Sequence, residues 1–84
     1  MSGDLDPVDA ALLAFEEDWQ SGRLHGDKAA LIRDRLDLSS PRYHRRLNEL
    51  IDDPVARAQA PSLLGRLDRV RAGRRHDRSA DLLP

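Results

Sequence analysis

The chain contains no cysteine, and it has only one residue each of methionine, tryptophan, tyrosine and phenylalanine. Without cysteine, disulfide cross-links, thiolate metal sites and cysteine-nucleophile catalysis are excluded. A chain of 84 residues buries only about 60 to 65% of the surface that its unfolded form exposes. We therefore expect one small domain with a thin core that is made mostly of aliphatic side chains.

Long apolar runs are also lacking. None approaches the roughly 18 residues that a membrane span requires. The first ten residues, MSGDLDPVDA, have neither the basic nor the apolar segment of a secretion signal. From these two absences we expect a cytoplasmic protein that has no membrane partner.

Lysine is nearly missing as well, since 13 of the 14 basic residues are arginine.

The net charge of −1 conceals two halves of opposite sign. Residues 1–40 contain four basic and nine acidic groups, a formal charge of −5, whereas residues 41–84 contain ten basic and six acidic groups, a formal charge of +4. Such an imbalance indicates an anionic partner at the basic end. A solvated, partnerless surface would explain it too.

The periodicity of apolar residues predicts an all-α protein, a compact bundle of four or five short helices. Asp6 can cap a first helix that has Pro7 in its first turn. An apolar stripe at i, i+4, i+7 and i+11 indicates its core side chains: Val8, Leu12, Phe15 and Trp19. The acidic residues 16–18 are expected on the opposite face.

Four further helices are predicted from capping residues and prolines. The second runs over 28–36 after an Asp27 cap, the third over 40–52, the fourth over 55–59, and the last from Pro61 with an apolar face: Leu63, Leu64, Leu67 and Val70. Gly73 should weaken the end of the last helix. We expect a disordered N-terminus over 1–5, one helical domain over 6–76 and a disordered tail over 77–84.

The stretch 27–51 is typical of a helix-turn-helix, because two short helices flank the turn 37–39. Placing the third helix on a helical wheel predicts core positions at Tyr43, Leu47, Leu50 and Ile51. The opposite face is polar. If it enters the major groove of DNA, its candidates for reading bases are Arg42, Arg45, Asn48 and Glu49.

Phosphate contacts are predicted at the start and flank of the third helix and along the last one. The candidates are Ser39, Ser40, Arg46, Arg66, Arg69, Arg71, Arg74 and Arg75. The alternative interpretation is a solvated face whose arginines pair with acidic residues of the same helix.

The run K-x-x-x-I-R-x-x-x-x-L-S-x-x-R-Y-x-x-x-L-N-x-L-I-D, over 28–52, resembles a small actinobacterial family that is described as a domain of unknown function, DUF3263. The resemblance extends back to Phe15 and forward to Arg71, and it implies a helix-turn-helix similar to that of the promoter-reading region of sigma factors. The chain departs from the family pattern at three positions. Asp37 replaces a glycine in the turn and would strain the turn if that position requires a positive φ. His44 replaces a tyrosine, and Arg46 replaces an apolar residue.

We therefore expect a DNA-binding transcriptional regulator or nucleoid-associated factor, located on the cytoplasmic nucleoid, that reads duplex DNA and could need a homodimer for specificity. The alternative is an adaptor that docks its arginine-rich helix on RNA polymerase, a sigma factor or another acidic partner. We expect no enzyme activity, no small-molecule substrate and no cofactor. His25, His44 and His76 have no metal-binding spacing, so no metal is expected.

Overall fold

The computed structural model describes the backbone of residues 5–82 and the side chains of residues 5–74. Five helices follow one another: α1 Pro7–Gln20, α2 Lys28–Leu36, α3 Ser40–Ile51, α4 Pro54–Gln59 and α5 Pro61–Leu82. The predicted all-α bundle is confirmed. Helix α3 lies at its centre, because it contacts each of the other four helices.

The first four helices begin at side chains that accept a hydrogen bond from a backbone N–H of the first turn. These caps are Asp6 on Val8, Asp27 on Ala29, Ser39 on Arg42 and Asp53 on Val55. A cap of this kind stabilises a helix by about 0.5–2 kcal/mol. The caps explain why the predicted starts of these helices agree with the structure to within one residue.

The core is aliphatic and encloses two aromatic rings. Tyr43 is fully buried, and its ring meets that of Phe15 edge to face at a centroid distance of 5.7 Å. The other buried apolar side chains come from all five helices: Leu12, Leu13, Ile32, Leu47, Leu50, Ile51, Ala56, Leu63 and Leu64. All four core positions that were predicted for α3 are confirmed.

Two predicted core residues are exposed. Val8 is 54% exposed in the first turn of α1, and Val70 is 51% exposed on α5. The predicted orientation of Glu16 is wrong in the opposite sense, since this carboxylate is only 3% exposed. A regularly spaced apolar stripe predicts the buried side chains correctly only if neighbouring helices cover the helix along its whole length. In α1, the polar Glu16 is buried because it has partners on other helices.

Helix α5 does not end near Gly73 but continues to Leu82. The sequence predicts a disordered tail over 77–84, of which the backbone of residues 77–82 is helical and residues 83–84 lie outside the described part of the chain. Of the predicted disordered N-terminus, residues 1–4 lie outside it too, while Leu5 packs against the core.

Candidate functional site

The turn between α2 and α3 consists of three residues. Asp37 ends α2 in the left-handed conformation, with φ 56° and ψ 38°, and its N–H donates to the carbonyl oxygen of Arg33. Leu38 is partly buried, and Ser39 caps α3. The sequence predicts strain at Asp37 if that position requires a positive φ, and the structure confirms the positive φ. A glycine would adopt this conformation without the steric cost of a Cβ.

Two arginines at the start of α3 point into solvent. Arg42 and Arg45 are exposed, and neither forms an ion pair within residues 5–74. Around α3, Arg45 lies opposite the buried Tyr43, and Arg42 lies about 100° from it, at the edge of the buried side. Of the predicted base-reading set, these two are the side chains whose charged ends have no ion-pair partner among residues 5–74.

The other two base-reading candidates touch neighbouring arginines. The Oδ1 of Asn48 accepts a hydrogen bond of 2.9 Å from Nη1 of Arg71 on α5. The carboxylate of Glu49 lies 3.3 Å from Nη1 of Arg46, one turn earlier on α3. Among the described side chains, the predicted quartet therefore divides into two arginines without an ion pair and two residues held by intramolecular contacts.

Arg46 links α3 to α1. Its Nε and Nη2 donate to the two carboxylate oxygens of Asp9 at 2.8 and 2.6 Å. Asp9 is 7% exposed and Arg46 is in part accessible. The hydrogen bonds from Arg46 lower the pKa of Asp9, and the same contact raises the pKa of Arg46. A phosphate would have to compete with a buried, two-pronged partner for this guanidinium.

Glu16 forms a second polar junction, one that the sequence did not predict. Its carboxylate accepts hydrogen bonds from the Tyr43 hydroxyl and, at 2.8 Å, from Gln20, and it lies 2.9 Å from Nζ of Lys28. Burial raises the pKa of Glu16, but the three donors outweigh this effect and the pKa is lowered. Lys28 also lies 5.6 Å from the centre of the Trp19 ring. The junction ties α1, α2 and α3 together.

A signal for these two junctions exists in the sequence, although it is weak. Asp9 and Glu16 are seven residues apart and thus share one face of α1. The buried tyrosine hydroxyl also needs a hydrogen-bond partner. Neither pattern says which carboxylate turns inward, so sequence reasoning assigned Glu16 to the surface.

The arginines of α5 differ from one another. Arg71 donates to Asp52 and, at 2.9 Å, to Asp68, and Arg66 lies 3.1 Å from Glu17 of α1. Asp52 is the main cause of the raised pKa of Arg71, followed by Asp68. Three predicted phosphate contacts remain on this helix. Arg69 and Arg74 are exposed and form no ion pair among residues 5–74, and Arg75 lies beyond the described side chains.

Two more arginines, not predicted, precede the turn. Arg33 and Arg35 are exposed on α2 and form no ion pair within the described side chains. The sequence could point to them only through the predicted helix-turn-helix, in which the first helix would cross the DNA backbone. Of the predicted serines, Ser39 is exposed and Ser40 is partly buried.

A groove of about 630 Å³ lies between α1, α3 and α5, and its lining mixes apolar with charged side chains, among them Trp19, His44, Leu67 and Arg74. Among the described residues, no three histidine, aspartate or glutamate side chains are placed to hold a metal ion. No helix of the described part is long and apolar enough to cross a membrane.

Comparison with known proteins gives one family. The family described as "Protein of unknown function (DUF3263)" matches residues 4–79. No curated protein and no solved structure matches the chain significantly.

Proposed function

We propose that this chain, which belongs to the DUF3263 family of proteins of unknown function, binds duplex DNA through α3. Helices α2 and α3 would act as a helix-turn-helix, with the start of α3 in the major groove. One observation carries the proposal: Arg42 and Arg45 extend from this helix into solvent without an ion pair among residues 5–74. The guanidinium of an arginine without an ion pair can donate two hydrogen bonds to one base edge.

The phosphate contacts come mainly from α2 in this proposal. Arg33 and Arg35 are accessible and unpaired within the described side chains, in the helix that would cross the backbone. Arg46 and Arg71 would contribute less, because carboxylates of the same chain hold their guanidinium groups. Each neutralised phosphate adds about −0.9 to the slope of log affinity against log salt. Replacing Arg33 or Arg35 should therefore make that slope shallower by about one.

The acidic first half of the chain opposes DNA binding less than its formal charge suggests. On α1, Asp9 and Glu16 are paired with Arg46 and Lys28. Glu17 and Asp18 also have arginine partners, namely Arg66 and Arg23. The positive partner of each of these carboxylates lies within 4 Å, so α1 presents less net negative charge than its sequence alone implies.

A gel-shift assay with mixed genomic duplex fragments at two salt concentrations tests the proposal. We expect retention that weakens with salt, and loss of retention in the Arg42→Ala/Arg45→Ala variant with unchanged folding. The matched control is Arg23→Ala, which removes a surface arginine that is paired with Asp18 and is not a predicted DNA contact. Equal retention by the wild type and the Arg42→Ala/Arg45→Ala variant would overturn the assignment to α3.

The same assay tests the adaptor alternative. Arg69 and Arg74 are exposed and unpaired among the described residues, so an acidic protein could engage that helix. An adaptor would retain no DNA, and replacing Arg69 and Arg74 would abolish binding to its protein partner instead.

A regulator or nucleoid factor of this size would need help with specificity. A single module buries only about 600–1,000 Å² on DNA. We propose a homodimer or a second protein on the DNA, located on the nucleoid. Size exclusion of the free chain and of the DNA complex measures the stoichiometry.

A further inference from the structure

We infer that α3 reads guanines, at two neighbouring base pairs, and reads neither adenine nor cytosine. This inference rests on the proposed function. The four polar residues of the outward face, 42, 45, 48 and 49, would by type alone recognise three different bases. The contacts among residues 5–74 leave two of them available, and both of these are arginines.

Asn48 is turned toward α5. Its Oδ1 already accepts a hydrogen bond from Arg71, whose other contacts to Asp52 and Asp68 fix the guanidinium. Reading adenine requires the amide oxygen and nitrogen of one asparagine to reach the same base edge. Asn48 follows Arg45 at the same three-residue spacing, but it lines the groove with Val70. Its contact with Arg71, and not its angle around the helix, makes its amide unavailable to a base edge.

Glu49 is paired with a cation of its own helix, Arg46. Its partner, Arg46, is fixed by the two hydrogen bonds to the buried Asp9, so a stationary positive charge lies 3.3 Å from the Glu49 carboxylate. Acceptance from cytosine would require the carboxylate to leave this cation and enter a groove of negative potential. Glu49 accordingly has no role in base reading.

Arg42 and Arg45 suit adjacent base pairs. They are three residues apart, which places them about 4.5 Å apart along the helix axis and about 60° apart around it. The rise between base pairs is about 3.4 Å. Guanine offers two acceptors, N7 and O6, on its major-groove edge, and an arginine fork donates to both. Two unpaired arginines at this spacing fit two guanines in succession, on one strand or on opposite strands.

The test uses the full chain and a random duplex library. The bound sequences should contain two adjacent G·C pairs. Replacing either guanine by 7-deazaguanine, which lacks the N7 acceptor but keeps O6, removes one of the two hydrogen bonds and should then weaken binding roughly 2- to 12-fold. 7-Deazaadenine at the flanking positions should leave affinity within about twofold. Arg42→Ala should abolish the penalty of one 7-deazaguanine and leave the other, and Arg45→Ala the reverse.

Asn48→Ala is the matched control on the same helix. It should leave the selected sequence and both 7-deazaguanine penalties unchanged. A selected adenine whose 7-deaza analogue weakens binding in the wild type, but not in Asn48→Ala, would overturn the inference.

The two levels fail differently. Duplex DNA bound without preference for G·C pairs, or without sensitivity to 7-deazaguanine, overturns the inference alone. Absence of any DNA binding at low salt overturns the proposed function and the inference with it. The base analogues act on the wild-type chain, so the result does not depend on whether a variant folds.

Discussion

The arginines of α3 serve two different purposes. Toward α1, Arg46 binds Asp9 and Tyr43 binds Glu16, and these polar contacts hold the two helices together. On the side facing solvent, Arg42 and Arg45 have no ion pair among the described residues. The difference shows that the number of arginines is a poor measure of how well a surface can bind anions. What counts is how many of them the protein leaves unpaired.

The largest loss of stability should follow from Glu16→Ala, which acts on the inner side of α3, the side that contacts α1. It leaves the buried Tyr43 hydroxyl without its partner and Lys28 without its carboxylate, so the free energy of unfolding should fall by about 3 kcal/mol or more. Chemical denaturation followed by circular dichroism measures it. Glu17→Ala is the control one residue away, and its exposed pair with Arg66 is worth at most about 1 kcal/mol. Equal losses in both variants would remove the distinction between the sides.

Substitutions on the outer side of α3, which faces solvent, should lower affinity for DNA and leave stability nearly unchanged. Arg45→Ala should weaken DNA binding by about 1–3 kcal/mol, because a bidentate base contact is lost. Its free energy of unfolding should stay within about 0.5 kcal/mol of the wild type, as for surface substitutions in general. Fluorescence anisotropy with a duplex and thermal unfolding measure the two quantities. A drop in stability without a drop in affinity would contradict the separation.

Acid should weaken the inner side selectively. The pKa values of Asp9 and Glu16 are lowered from ordinary values of 3.8 and 4.5. The stability that these contacts supply is thus complete above the ordinary values and is lost as the pH falls through the lowered ones.

Denaturation at a series of acidic pH values checks this loss. Asp9→Asn should show a shallower decline than the wild type, because one of the linked protonations is gone. Arg45→Ala should decline in parallel with the wild type, since arginine stays charged throughout this range. Parallel curves for all three proteins would show that Asp9 does not contribute.

The smallest effect should come from the turn that connects α2 to α3. Asp37→Gly relieves the left-handed conformation of an L residue, but it also adds conformational freedom to the unfolded chain. A net gain of about 0.5 kcal/mol in the free energy of unfolding is expected, without change on either side of α3. Thermal unfolding measures it. A loss of stability would mean that the Asp37 side chain contributes more than its backbone conformation costs.

Helix starts and the core of α3 could be predicted because their causes are local. A capping aspartate or serine acts on an N–H two or three residues away, and the spacing of Tyr43, Leu47, Leu50 and Ile51 follows from the geometry of one helix. Strain at Asp37 was expected only on the condition of a positive φ, because the resembled family has a glycine at this position. These features require no knowledge of how the helices pack.

The pairing of charges could not be predicted, because it depends on packing between distant parts of the chain. Asp9 meets Arg46 across 37 positions and Arg66 meets Glu17 across 49. Periodicity ranks residues by hydropathy, so it placed Glu16 outside and Val70 inside. It has no means of recognising a carboxylate that turns inward because a tyrosine, a lysine and a glutamine meet it there.

The contact between Tyr43 and Glu16 also gives the protein an optical reporter. Tyr43 is the sole tyrosine of the chain, and burial together with the neighbouring carboxylate raises its pKa far above the ordinary value of 10.0. Phenolate absorbs ultraviolet light at longer wavelength than phenol. In an alkaline titration, the phenolate signal should therefore appear when α1 separates from α3, and its time course gives the rate at which that junction opens.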